Sequence, residues 1–280
     1  MVHSRHSEGK LSVDSLITVD DRSVEPRRRI NLMTSNPFAV IGSALIWALI
    51  ALLTVTFSLI AIVCGVVLVP IDPQRRVAHW VNTLWGESIF FFNPLWRCRV
   101  TGRRRLDHRR TYIYIANHQS MLDIMALFSV RRQFKWVSKE SLFRIPFLGW
   151  AMRAAGYISL LRGDRASIRV TTDQARAYLN NGMSVVFFPE GTRSATGELL
   201  PFKNGAFRLA AELGIPVVPV AIIGTRDLLV KGSWLFLGRR TVRVKVLPPI
   251  DVARYRSARI DGLRDEAFHA IARALKSKTR

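Results

Sequence analysis

Asn117-His118-Gln119-Ser120-Met121-Leu122-Asp123 follows directly on the apolar run Tyr112–Ala116. The run reads as a buried strand, and the polar cluster after it opens a helical pattern, so His118 is expected at the C-terminal edge of a sheet. Such edges commonly carry chemistry. Five residues apart on one ideal helix is about 140° of rotation, so His118 and Asp123 would not face each other if both were helical. His118 is therefore placed in the turn before the helix and Asp123 in its first turn. There the carboxylate can accept from one imidazole nitrogen, fix the tautomer and leave the other nitrogen free as a base. The same residues also fit a capping box, Ser120 with Asp123, in which His118 is a loop residue. Both readings stay open on this stretch alone.

Outward from it, short apolar runs alternate with helical patterns. Strands are expected at Trp96–Thr101, Tyr112–Ala116, Phe134–Ser138, Tyr157–Leu160, Ser184–Phe188, Val217–Ile223 and Val242–Leu247. Helices are expected at Ser120–Val130, Leu148–Ala155, Ala166–Asn180, Asn204–Leu213 and Leu263–Lys276, with Asn181-Gly182 and Gly214 as stops. This interleaving predicts an α/β domain over residues 97–280, with a mixed, largely parallel sheet flanked by helices. A second polar cluster, Phe188-Pro189-Glu190-Gly191-Thr192-Arg193-Ser194, again follows an apolar strand. Pro189 ends the ladder, Gly191 lets backbone approach a ligand, Glu190 offers an acceptor to a hydroxyl, and Arg193 can grip a phosphate. The helix opened by Phe202-Lys203-Asn204-Gly205 has an amide-rich start that also favours an anion.

Upstream, the first 35 residues are polar and basic and read as a flexible tail. No charged residue occurs from Asn36 to Ile71, a length of about 54 Å as helix against a hydrocarbon core of about 30 Å. That suits one long tilted span or a helix partly embedded from one side. The segment begins too late and runs too long for a cleaved signal peptide. Val77, Trp80, Val81, Leu84 and Trp85 then fall at helical spacing up to Asn93-Pro94, which predicts an amphipathic interfacial helix with its tryptophans at headgroup depth. Residues 36–96 thus form an expected membrane-anchoring region. Arg75, Arg76 and the basic chain beyond place the main domain on the cytoplasmic face.

The 280 residues are 49% hydrophobic and carry a formal charge of +22, which calls for an anionic partner: an acidic lipid surface, a phosphorylated substrate or nucleic acid. No nucleic-acid motif accompanies the charge, so nucleic acid is not expected. Two cysteines, Cys64 and Cys98, give neither a disulfide framework nor a metal-type spacing, and no metal or other cofactor is expected.

Together these stretches resemble the 1-acylglycerol-3-phosphate acyltransferase family. Asn117-His118-Gln119-Ser120-x-x-Asp123 and Phe188–Ser194 match its first and third signature blocks. Lys139-x-x-Leu142-Phe143-x-x-Pro146-x-x-Gly149 with Gly156-x-Ile158 and Arg162 is similar to the second, and Ile215-Pro216-Val217-Val218-Pro219-Val220 to the fourth. Ser159 and Leu161 stand where the family more often has an aromatic and an acidic residue. The resemblance implies transfer of a fatty acyl group from acyl-CoA or an acyl carrier protein to the sn-2 hydroxyl of lysophosphatidate, giving phosphatidate at a membrane surface. It implies His118 as general base and Asp123 as its partner, and it places the acceptor at Glu190, Gly191, Thr192 and Arg193 with Lys139 and Arg162. A thiolate leaves readily, so neither Ser120 nor Cys98 is needed as a nucleophile, and no GxSxG elbow is present. Two alternatives stand beside this: the same chemistry on glycerol 3-phosphate, another lysophospholipid or a lyso-aminolipid, and a non-enzymatic binder of anionic lipid or nucleic acid.

Overall fold

The computed structural model describes residues 37–194, 197–229, 234–236, 238–255 and 260–277; the tail expected over residues 1–35 lies outside them. Seven strands, β1 (Trp96–Thr101), β2 (Ile113–Ala116), β3 (Phe134–Lys139), β4 (Ile158–Leu160), β5 (Ser184–Phe187), β6 (Val217–Ile223) and β7 (Arg240–Val246), form one sheet in the order β1-β7-β6-β2-β5-β3-β4. β6, β2, β5, β3 and β4 are mutually parallel, β7 runs antiparallel to β6, and β1 is parallel to β7. The sheet is therefore mixed and largely parallel, as expected. The central strands are covered on both faces, and every residue of β2 is buried.

The period of two in β2 divides the core. Ile113 and Ile115 join Val185, Leu179, Phe207 and Ile271 on one face, beneath α5 (Arg165–Asn180), α6 (Gly205–Leu213) and α7 (Ile260–Lys276). Tyr112, Tyr114 and Ala116 face the opposite layer, built from α1 (Pro37–Val67), α2 (Arg76–Phe92), α3 (Asp123–Phe128) and α4 (Leu148–Ala154). The helix expected from Ser120 is shorter: Ser120–Leu122 form a turn and α3 begins at Asp123. Its first turn is closed by the Asp123 carboxylate, which accepts from the backbone N–H groups of Gln119 and Ser120 at 2.7 and 2.9 Å.

α1 turns one face to the domain and leaves an apolar face outward. Ser43, Ile50, Ser58, Ala61 and Gly65 are buried against the domain, whereas Phe38, Leu45, Leu52, Leu59, Val63 and Val66 are exposed. The inner face is fastened at several heights. Ser43 Oγ accepts from the Phe236 N–H at 3.0 Å, Trp47 Nε1 donates to the Trp234 carbonyl at 2.7 Å, and Trp85 Nε1 donates to Thr54 Oγ1 at 3.1 Å. Lower down, Arg75 donates to the carbonyls of Arg153 and Ala154 at the end of α4, where orphan carbonyls and the helix dipole favour a cation. The buried Lys135 supports the same corner. Its ammonium donates to the Ala155 carbonyl at 2.7 Å, and burial pulls its pKa down to about 7.

α2 corrects one expectation. Of its two tryptophans only Trp80 faces outward; Trp85 is buried, as is His79, because α2 is wedged between α1 and the sheet layer. His79 bonds the Tyr157 hydroxyl and the Arg132 carbonyl, and burial lowers its pKa to about 3, so it is a neutral core residue. The exposed stripe of α2 is Val77, Trp80, Leu84 and Phe91.

The close approach of α1 gives a testable asymmetry. A Cβ at Gly65 would lie 2.4 Å from the Ala154 carbonyl oxygen, while one at Gly42 meets nothing within 4 Å. Gly65→Ala is expected to cost about 1 to 3 kcal/mol through overpacking, whereas Gly42→Ala should stabilise the helix by about 0.5 to 1 kcal/mol. Melting midpoints of both variants in one detergent check the contrast.

Candidate active site

Because five strands are parallel, their C-terminal ends share one edge, and the polar residues that follow each strand gather there. Thr225 follows β6, His118 follows β2, Glu190 and Arg193 follow β5, Lys139 ends β3 and Arg162 follows β4.

At the centre of this edge the His118 Nδ1 lies 2.7 Å from Asp123 Oδ2. An ionised carboxylate only accepts, so Nδ1 carries the proton and Nε2 presents its lone pair. Nε2 has no hydrogen-bond partner among the described residues, and the His118 side chain is 18% accessible while that of Asp123 is fully buried. The sequence left two readings of Asp123, and the structure satisfies both: one oxygen holds the imidazole and closes the start of α3. The remaining oxygen, Oδ1, accepts from the buried Thr225 hydroxyl at 2.5 Å. Phe188 lies against the imidazole, with ring centroids 4.4 Å apart.

Two further side chains set this strand end. Asn117 both donates to the Ile222 carbonyl, at 2.9 Å, and accepts from the Ile222 N–H, at 2.7 Å, so it fastens the end of β2 to β6. Glu190 is buried, and its two oxygens accept from the His118 N–H at 2.7 Å and the Leu200 N–H at 3.0 Å. Burial pushes its carboxyl pKa up, and these two amides pull it back down. Glu190 therefore joins the two signature loops, a structural duty not visible in the sequence. The Ser194 N–H adds a second tie, donating to the His118 carbonyl at 3.0 Å.

Gly191 sits at φ +70° in the turn closed by its N–H donating to the Phe188 carbonyl, so a left-handed residue is required there. The Lys203 ammonium lies over it, 2.8 Å from where a Cβ would stand. Thr192 is exposed and Arg193 half-buried. Arg162 lies near enough to Arg193 for the neighbouring charge, after burial, to lower its pKa. Both guanidiniums follow strands at this edge, and a guanidinium suits a phosphate or carboxylate. Lys139 is exposed at the end of β3, about two strand spacings or 10 Å from His118, and Arg162 is about three spacings or 14 Å away.

Thr225, Asn117 and Lys203 were not singled out as site residues from the sequence. The signal for Thr225 is its position straight after an apolar strand, behind Gly224 at φ +90°. Cys98 is on β1, away from this edge, and burial raises its pKa; Ser120 Oγ accepts from the Leu122 N–H. Neither is placed as a nucleophile.

A histidine bonded to a buried carboxylate thus stands at the centre of this edge, and the Acyltransferase family model matches residues 97–223. A 1-acyl-sn-glycerol-3-phosphate acyltransferase of Chlamydomonas reinhardtii is 38% identical over 242 residues, covering 85% of this chain and 70% of that protein. The enzyme of the same description from Salmonella typhimurium is 32% identical, over 79% of this chain and 88% of its own. Among solved structures, the 1-acyl-sn-glycerophosphate acyltransferase PlsC of Thermotoga maritima superposes with a TM-score of 0.63 at 30% identity, over 84% of this chain and 98% of that one. The chain belongs to the 1-acyl-sn-glycerol-3-phosphate acyltransferase family.

Proposed function

We propose that this enzyme moves a fatty acyl group from an acyl thioester, of coenzyme A or an acyl carrier protein, to the sn-2 hydroxyl of 1-acyl-glycerol-3-phosphate, forming phosphatidate. The observation that carries the reading is the His118–Asp123 pair, whose Nε2 has no partner among the described residues, with Arg162 and Arg193 following strands at the same sheet edge. The acceptor phosphate sits on the two guanidiniums, and Lys139 extends the basic ground toward β3. His118 Nε2 takes the hydroxyl proton as the oxygen attacks the thioester carbonyl. The tetrahedral intermediate then expels the thiolate, which recovers the proton from the imidazolium. Asp123 remains ionised throughout and stabilises the positive imidazole. No bond to the enzyme forms.

The reaction takes place at a membrane surface. The outward face of α1 is apolar along its length, and the helix is long and apolar enough to cross a membrane. Its inner face is bonded to the domain from Ser43 to Gly65, so immersing the whole helix across a bilayer would drag charged elements into hydrocarbon. Embedding from one side, with the exposed stripe of α2 at the interface, avoids this. The domain then stands on the cytoplasmic side, where Arg75 and Arg76 belong.

Acceptor choice tests the reading. Lysophosphatidate should outpace lysophosphatidylcholine and a phosphate-free acceptor, and Arg193→Gln with Arg162→Gln should raise the acceptor KM by tenfold or more, since charged hydrogen bonds are worth about 1.5 to 3 kcal/mol each. Equal use of the phosphate-free acceptor by the parent enzyme would overturn the assignment.

A further inference from the structure

A groove of about 1390 Å³ runs along the edge strand β1, about three strand spacings or 14 Å across the sheet from the histidine strand. Six arginines line it, Arg97, Arg99, Arg103, Arg104, Arg131 and Arg239, against the single carboxylate of Glu87. Arg131 is neutralised by Glu87 at 2.5 Å, and Arg103 donates to the Ser129 carbonyl. Arg97, Arg99 and Arg104 are exposed and have no carboxylate partner among the described residues. Acceptors are scarce in the walls as well: Asn93 Nδ2, Trp96 Nε1 and Arg103 Nε are buried donors without a partner among those residues. Leu84, Phe90 and Phe91 of α2 line the groove as well, and Leu84 and Phe91 belong to the exposed stripe of that helix.

We infer that this groove is a second, non-catalytic lipid site, which holds an anionic glycerophospholipid with its phosphate on Arg97, Arg99 and Arg104 and its chains against Leu84 and Phe91. The inference rests on the membrane placement proposed above. That placement sets Leu84 and Phe91 at the interface and the arginines at headgroup level, where each basic residue attracts anionic lipid. A soluble acidic carrier would match the charge but has no use for the exposed apolar side chains of Leu84 and Phe91. Occupied, the site would favour membrane regions rich in anionic lipid without touching the catalytic edge.

The test uses the purified full-length enzyme and vesicles of phosphatidylcholine, alone or mixed with phosphatidylglycerol, scored by cosedimentation. Arg97→Gln/Arg99→Gln/Arg104→Gln should bind neutral vesicles and transfer acyl groups in neutral detergent micelles like the parent. It should lose about ten- to a hundredfold of the affinity that phosphatidylglycerol adds. A matched control, Arg169→Gln/Arg208→Gln/Arg254→Gln, removes the same charge from the opposite helical layer and its following turn, and it should keep most of that gain. Equal losses in both variants would reduce the groove to diffuse surface charge and overturn the site. A gain unchanged in the groove variant would overturn it too, leaving the arginines as charges that keep an edge strand from pairing. A higher KM for a carrier-protein thioester in micelles, with vesicle binding unchanged, would reassign the groove to the donor protein. Failure of the parent to bind neutral vesicles would instead remove the membrane placement itself, and the inference with it.

Discussion

His118→Ala should lower acyl transfer by about 10² to 10⁴, the usual contribution of a positioned general base, while the fold persists. Persistence is expected because the side chain is partly exposed and because Asp123 keeps its other donors, the Gln119 and Ser120 amides and the Thr225 hydroxyl. The loss should fall on kcat. On the proposed reading acceptor affinity rests with Arg162 and Arg193, in the segments that follow β4 and β5. Single-turnover transfer from acyl-CoA to lysophosphatidate, with melting midpoints measured in parallel, separates chemistry from stability. Transfer retained within a few-fold of the parent would refute His118 as base.

Asp123→Asn isolates the charge. With the amide oxygen in the place of Oδ2, asparagine still accepts from His118 Nδ1, Gln119 and Ser120; its NH₂ meets Thr225, whose hydroxyl can turn round and accept. Geometry and tautomer are therefore kept, and what disappears is the negative charge facing the imidazolium that forms as the proton is taken. A fall in kcat of about 10² or more is expected, at near-constant acceptor KM and with a stability change of about 1 kcal/mol. Asp123→Ala is the harsher comparison: it strands four donors, three of them fixed in the active-site turn, and should destabilise as well as inactivate. If the asparagine variant were as active as the parent, Asp123 would be a helix-capping residue and nothing more.

The sheet was legible because its strands are buried on both faces and punctuated by Pro, Gly and polar turns. Ile113–Ala116 and Val217–Ile223 are near-continuous apolar runs, and their ends fell within a residue or two of expectation. The start of α3 was not legible. Ser120 is a good capping residue, but its hydroxyl accepts from the Leu122 N–H within a turn while the Asp123 carboxylate accepts from the Gln119 and Ser120 N–H groups, and the helix begins three residues later. Trp85 misled for a related reason. Helical spacing marks which residues share a face, not whether lipid or protein covers it, and here α1 does. Lys135, in the middle of a strand between Phe134 and Trp136, gives no local sign that its ammonium will be buried against the Ala155 carbonyl. At the site, the histidine and its carboxylate could be read because they are close in sequence. Glu190 was found, but as an acceptor for substrate; its bond to the His118 amide spans the two loops and has no sequence signature.

The contacts that set His118 come from far along the chain. Glu190 is 72 residues beyond it, and Asn117 and Thr225 are bonded to partners 105 and 102 residues distant. Closing such loops is slow and costs entropy before any contact repays it. During synthesis His118 and Asp123 emerge first, and the strand that fastens them and the hydroxyl that satisfies the carboxylate come off the ribosome about a hundred residues later. A nascent chain thus carries an unset histidine, and its bonded geometry is complete only when β6 docks.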